Sequence, residues 1–94
     1  MKIAISNFTL YEQSPSLRAT ADVTFLASFG ALLTVRDVKL VQGRNNVFMA
    51  MPTKKAGEIF EPIVVLEDEN VKKKLYEMLI GLYNQSTHNI TGGK

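Results

Sequence analysis

Residues Thr34–Lys55, TVRDVKLVQGRNNVFMAMPTKK, decide the fold of this chain. They predict a strand, a turn over residues 43–46, a short strand over residues 47–51 and a stop at Pro52, followed by two lysines. Glycine and asparagine in the turn tolerate the positive φ that tight hairpin turns require. The short strand is apolar on both parities, so we expect it to be covered on both faces.

Two further strands precede this stretch. The apolar parity of residues 2–13 changes at residues 6–7, which indicates a β-bulge. Residues 17–25 alternate strictly between apolar and polar side chains, which is typical of a half-buried antiparallel strand. The parity changes once more within residues 32–41, so we expect a second bulge at residues 36–37.

One helix is predicted near the C-terminal end. Asp68 is placed to cap its N-terminus, and the acids on either side complement the helix dipole. The residues that recur at helical spacing and form the core stripe are Val71, Leu75, Met78, Leu79 and Leu82. We expect the helix to end near Asn84 and residues 85–94 to be a disordered tail. Residues 1–84 then form a single α+β domain, an N-terminal antiparallel sheet of about four strands with the helix packed against it.

The predicted helix carries a second apolar strip beside the core stripe, formed by Tyr76, Ile80 and Tyr83. A helix on one sheet needs only one stripe, so the second strip favours a dimer or partner interface. The alternative is that the tyrosines lie across the domain edge with their hydroxyls in water. The thin core of a 94-residue chain also favours a homodimer.

Composition argues against several classes of function. The chain has no cysteine, and its single histidine, His88, falls in the predicted tail. No Ser-His-Asp or Cys-His site can therefore be built in the ordered part. The acids Glu67, Asp68 and Glu69 could suggest a metal site but are more simply explained by the helix dipole, and no glycine-rich phosphate loop is present. We expect no enzymatic activity, no cofactor and no small-molecule substrate. The sequence shows neither a signal-peptide pattern nor an apolar run of about 20 residues, which favours a cytoplasmic protein without membrane contact.

Basic residues around the central stretch are candidates for phosphate contacts. The formal charge of +2 says little by itself, so the clustering of cations matters. Lys54 and Lys55 follow a rigid strand, and Arg44 lies in the turn before that strand. These side chains are placed to follow a nucleic-acid backbone across several nucleotides. The alternative is a pair of solubilising lysines on an exposed loop.

Three consecutive lysines near the helix start fan around its axis. Lys73 has an acid four residues away on each side, Glu69 and Glu77, so we expect it to be the most neutralised. We expect Lys72 and Lys74 to lack such partners, so they are the helix residues expected to contact phosphate. The alternative is a solvated helix face.

The central stretch resembles the signature of the stage V sporulation protein G family, the bacterial septation regulators. Its hallmark is an Asp-containing strand, a Gly-Asn turn and an Ala-Met-Pro core with basic residues behind it. The matching residues are Val35, Asp37, Val38, Gly43, Asn45, 48–55, Glu58, Phe60, Pro62 and Tyr83. Met49, Thr53 and Asn46 replace the usual valine, serine and glycine, so fine specificity is not carried over.

The resemblance implies a cytoplasmic homodimer that binds DNA or RNA and regulates gene expression, septation or sporulation. Together with the residues, it predicts salt-sensitive phosphate contacts by Arg44, Lys54, Lys55, Lys72 and Lys74. The alternative is a protein-interaction module that acts in septation or regulation without touching nucleic acid. The sequence predicts no base readout and no target site.

Overall fold

A computed structural model describes residues 2–92 of the chain and the side-chain surroundings of residues 2–87. Its elements are β1 (Lys2–Leu10), β2 (Leu17–Ala27), β3 (Gly30–Gln42), β4 (Val47–Ala50), β5 (Thr53–Ala56), β6 (Ile59–Pro62) and α1 (Glu69–Gly92). The first four strands form one antiparallel sheet in the order β1-β2-β3-β4. The predicted α+β class, with a four-stranded antiparallel sheet followed by a C-terminal helix, is confirmed.

The core lies between one face of this sheet and α1. Alternate residues of β2, from Ala19 to Phe25, are buried, which confirms the pattern predicted for this strand. The remaining buried apolar residues are Val35, Val38 and Leu40 on β3 and Leu75 and Leu79 on α1. Because the other face of the sheet has no helix, the core is a single thin layer.

Both predicted bulges are present, and Asp22 on the central strand β2 connects them. Asn7 and Asp37 have φ values of 53° and 65°, in the left-handed region that these residue types enter more readily than most. The Asn7 side-chain amide donates to Asp22 Oδ2 at 2.8 Å, and the Asp37 backbone N–H donates to Oδ1 at 3.1 Å. These two hydrogen bonds, the first being the stronger influence, hold the pKa of Asp22 below its ordinary value of 3.8. One carboxylate therefore fixes the bulges on both neighbouring strands.

The turn between β3 and β4 differs from its prediction. Residues 43–46 contain none of the positive φ values found among the described residues, so that expectation was wrong. A four-residue connection can close with type I geometry, which needs no left-handed residue. Space around position 43 is tight, because a Cβ there would lie 3.1 Å from the Phe48 ring and from the Asn46 carbonyl, and these neighbours would have to move by a few tenths of an ångström.

β4 is an edge strand, and the prediction that it is covered on both faces was wrong. Phe48 is 45% exposed, whereas Val47 and Met49 on the other face pack against the core. An apolar run on both parities predicts cover on both faces, but the outward parity of β4 lies on the face of the sheet opposite the one that packs against the core.

Residues 53–61, predicted as a polar loop or irregular strand, belong to a second antiparallel hairpin formed by β5 and β6. Its two-residue turn begins at Gly57, whose φ of 69° suits the first central position of a type II′ turn. The Ile63 N–H donates to the Pro52 carbonyl at 3.0 Å and closes the base of the hairpin. Within the described chain, this hairpin pairs with no strand of the main sheet.

The helix begins as predicted. Asp68 Oδ1 accepts hydrogen bonds from the backbone N–H groups of Asn70 and Val71, at 2.8 and 3.1 Å, which confirms the N-cap. The predicted end near Asn84 was wrong, because α1 continues to Gly92. No proline or glycine occurs between these two residues to stop it. The predicted tail is therefore helical over residues 85–92, while residues 93–94 and the His88 side chain lie outside what the structure describes.

Candidate nucleic-acid interface

Lys54 and Lys55 are adjacent on β5, so their side chains point to opposite faces of the hairpin. The register pairs Lys54 with Glu61 and Lys55 with Phe60. Directly opposed residues on antiparallel strands have Cβ atoms about 5 Å apart. Lys54 therefore has a carboxylate beside it, whereas Lys55 has an exposed aromatic ring. The two lysines therefore differ in their cross-strand neighbours, and neither takes part in an ion pair among the described residues.

The helix lysines pair differently from the prediction. Lys72 forms an ion pair with Glu69, with 3.2 Å between Nζ and Oε2, so the expectation that Lys72 lacks a partner was wrong. Residues three apart are neighbours on a helix just as residues four apart are, and the prediction weighed only the latter. Among the described side chains, Lys73 takes part in no ion pair.

Lys72 and Lys73 line a groove of about 370 Å³ between α1 and β4, together with Asn46 from the β3–β4 turn. Lys72 also borders a second groove of about 280 Å³, which reaches Pro62 at the base of the hairpin. This flank of α1 therefore lies between the turn that carries Arg44 and the hairpin that carries Lys55. Arg44 itself is exposed.

Lys74 lies on another part of the helix surface. Two residues along a helix correspond to a separation from Lys72 of about 160° around the axis. Lys74 is exposed and does not line either of the two grooves that Lys72 borders. Lys72 and Lys73 thus share a groove that Lys74 does not line, as expected for consecutive lysines that fan around a helix, and the role of Lys74 as a phosphate contact stays a prediction.

The second apolar strip of α1 packs against the chain's own sheet. The Tyr76 hydroxyl donates to the Val47 carbonyl at 2.6 Å, and Ile80 and Tyr83 contact the core. Neither of the two expected arrangements describes this, because the strip is covered within the chain and the Tyr76 hydroxyl bonds to backbone. The strip therefore gives no argument for a second subunit, and its role as a dimer or partner interface stays a prediction.

Large exposed apolar side chains occur instead around the hairpin and the segment after it. Ile59, Phe60, Ile63 and Val65 are 63%, 68%, 60% and 57% exposed. Sequence reasoning missed this surface because it took residues 53–61 as a loop. The signal that could have found it is the turn residue Gly57, with the large apolar pair Ile59 and Phe60 just after Glu58.

Metal binding and membrane insertion are two further possibilities for the described residues. Among the described residues, no three histidine, cysteine, aspartate or glutamate side chains lie close enough to hold a metal ion. The one helix of residues 2–92 lacks the sustained apolar character that crossing a bilayer requires.

Comparison with known proteins places these features in a family. The family model described as SpoVG matches residues 1–85. A protein of Caldanaerobacter subterraneus subsp. tengcongensis named "Putative septation protein SpoVG" is 28% identical over 90 residues, covering 95% of this chain and 94% of the relative. Proteins of the same name from Alkaliphilus oremlandii and Clostridium novyi are each 31% identical. Those two matches cover 73% and 81% of this chain and 71% and 77% of the relatives. With a family model spanning most of its length, the chain belongs to the SpoVG family.

Proposed function

We propose that this protein is a homodimeric, cytoplasmic regulator of the septation and sporulation type that binds DNA or RNA through its phosphate backbone. Membership of the SpoVG family, with curated relatives named as septation proteins, supports the regulatory role. The observation that carries the binding proposal is the position of Lys55, Lys73 and Arg44. They have no ion-pair partner among the described residues, and the elements that carry them adjoin one another around the grooves beside α1.

Binding of this kind is driven by charge. Each cation that neutralises a phosphate releases a condensed counterion, so affinity falls as salt rises. Lys72 and Lys54 contribute less, because Glu69 and Glu61 lie beside them. Lys74 contributes least to this surface, since it lies on the far flank of α1.

The proposal is tested by fluorescence anisotropy with labelled single-stranded DNA, duplex DNA and single-stranded RNA at low salt. Lys73→Gln should weaken binding and flatten the slope of log affinity against log salt by about 0.7 to 0.9. Lys74→Gln is the matched control, with the same chemistry one position along the same helix, and should leave the slope unchanged. Equal effects of the two substitutions, or no binding to any oligonucleotide at micromolar protein, would contradict the proposed interface.

The dimer is proposed on different grounds. Val65 and Leu33, both more than half exposed, line an apolar groove of about 230 Å³ that reaches Phe25 in the core. A chain of 94 residues buries only about two-thirds of its extended surface, so covering this groove with a second copy adds substantially to its stability. Sedimentation velocity should show a dimer at low micromolar concentration, and Val65→Lys should shift it to monomer. A stable wild-type monomer would overturn this part of the proposal.

A protein-interaction module without nucleic-acid binding is the second candidate. It is favoured by the exposure of Ile59, Ile63 and Val65, since exposed apolar side chains close together mark interaction surfaces. The anisotropy experiment separates the two candidates. Absence of binding to all three nucleic acids at low salt, with the dimer intact, would favour this second function.

A further inference from the structure

We propose that the hairpin face that carries Lys55 and Phe60 binds single-stranded nucleic acid by stacking a base on the Phe60 ring. This inference rests on the proposed function and narrows its ligand. Phosphate contacts alone do not distinguish a duplex from a single strand, whereas an exposed ring that stacks on bases does.

The geometry of the hairpin places a ring beside a cation. Phe60 is 68% exposed, and Lys55 is its direct cross-strand partner. Side chains of paired residues stand on the same face of a two-stranded sheet, with Cβ atoms about 5 Å apart. The neighbouring pair on this face is Thr53 with Pro62, so no carboxylate from either strand interrupts it.

The opposite face of the hairpin has a different character. It carries the pairs Lys54 with Glu61 and Ala56 with Ile59. The apolar side chains of that face are aliphatic, which suits contact with a protein partner. The Phe60 face offers one ring flanked by a lysine and a threonine, which complements an aromatic base attached to a phosphate.

A single strand fits this face better than a duplex does. Bases inside a duplex are stacked on each other, so their faces are closed to a protein ring. Unstacked bases bind aromatic side chains without sequence preference, because every base has a π-face. The hairpin lies outside the main sheet, so its face is free to receive a splayed base.

The absence of tryptophan from the chain gives a direct test. Phe60→Trp introduces one fluorophore at the proposed stacking position, and its emission should be quenched by oligothymidylate. Inorganic polyphosphate, which carries charge without bases, should not quench it. Phe29→Trp is the matched control, because Phe29 is 81% exposed at the β2–β3 turn and has no place in the proposed site. Quenching of both tryptophans to the same extent would overturn the inference.

Affinity gives an independent measurement on the same face. Phe60→Leu keeps an apolar side chain but removes the ring, and should weaken oligothymidylate binding about fivefold or more. Phe60→Tyr keeps a ring and should bind close to wild type. Polyphosphate affinity should not change in either variant.

The failures of the two proposals are distinguishable. If wild-type protein binds oligonucleotides while Phe60→Leu binds equally well and Phe60→Trp is not quenched, the stacking inference falls and the proposed function stands. If wild-type protein binds no nucleic acid, both fall. If sedimentation shows that Phe60→Leu converts a dimer to monomer, Phe60 is a subunit contact and the stacking inference is wrong.

Discussion

Replacing Leu75 by alanine should remove a large part of the stability of this chain. Leu75 is fully buried, at 0% exposure, where α1 packs on the sheet. The three carbon atoms removed are worth about 0.8 kcal/mol each in transfer free energy, or roughly 2.4 kcal/mol together. The cavity left behind adds to this, and buried Leu→Ala changes cost about 3–5 kcal/mol in total. Since a chain of 94 residues is stable by only about 5–14 kcal/mol, we expect Leu75→Ala to lose about a fifth of it or more.

The matched control is Leu82→Ala, the same substitution on the same helix. Leu82 is half-buried and lies outside the set of residues that pack against the core, so we expect a cost of about 1 kcal/mol. Both variants are measured by urea unfolding with circular dichroism at one fixed protein concentration. The dependence of the free energy of unfolding on urea should stay unchanged, which shows that the same surface unfolds. Equal costs at the two positions would mean that α1 presents a different face to the sheet, and the packing argument would fail.

Three further predictions concern charge and hydrogen bonding. Lys55→Gln should flatten the slope of log affinity against log salt concentration by about 0.7 for oligonucleotide binding. Lys54→Gln should flatten this slope less, because Glu61 is the cross-strand partner of Lys54. Anisotropy at several salt concentrations checks both variants. Asp68→Ala should destabilise the chain by about 1 kcal/mol in urea unfolding, because two backbone N–H groups of α1 lose their acceptor. The lowered pKa of Asp22 means that its carboxylate stabilises the fold above its ordinary value of 3.8. That stability should therefore be lost as the pH falls below 3.8 and through the native pKa. Asp22→Asn should weaken this part of the dependence of the free energy of unfolding on pH. An unchanged dependence in the variant would count against the role of Asp22.

Local sequence patterns predicted the bulges but not the residue that connects them. A change of apolar parity is visible along one strand, so Asn7 and Asp37 could be located without any partner strand. Asp22 lies fifteen residues from each of them, and its role depends on how β1 and β3 align with β2. That alignment is a tertiary property, and in the strict alternation of β2 Asp22 is one outward-facing polar residue among several.

The helix likewise has one feature that local sequence predicts and another that depends on tertiary contacts. Its N-cap was predictable because Asp68 acts on residues two and three positions away. The cover for the second apolar strip was not predictable, because Tyr76 bonds to Val47, 29 residues earlier, on an edge strand whose position the sequence did not establish. The exposure of Phe48 has a separate cause, because its side chain lies on the face of the sheet opposite the one that packs against the core. The wrong expectation about β4 therefore concerns the burial of the strand, and the role of the apolar strip of α1 as a dimer or partner interface stays a prediction.

The candidate site depends more on the β5–β6 turn than on the lysines themselves. In the observed register, which closes at Gly57, Lys55 is opposite Phe60 and Lys54 is opposite Glu61. A register shorter by one residue would place Lys54 opposite Phe60 and Lys55 opposite Ile59, since slippage by one position exchanges the faces. A residue with a Cβ at position 57 would be strained at its φ of 69°, whatever space surrounds it. Two adjacent lysines in a sequence are common, but a lysine held beside an exposed ring requires this turn. The charge of the candidate site can therefore be read from its composition, while the stacking selectivity that we propose for it depends on a glycine that lies outside the stacking position.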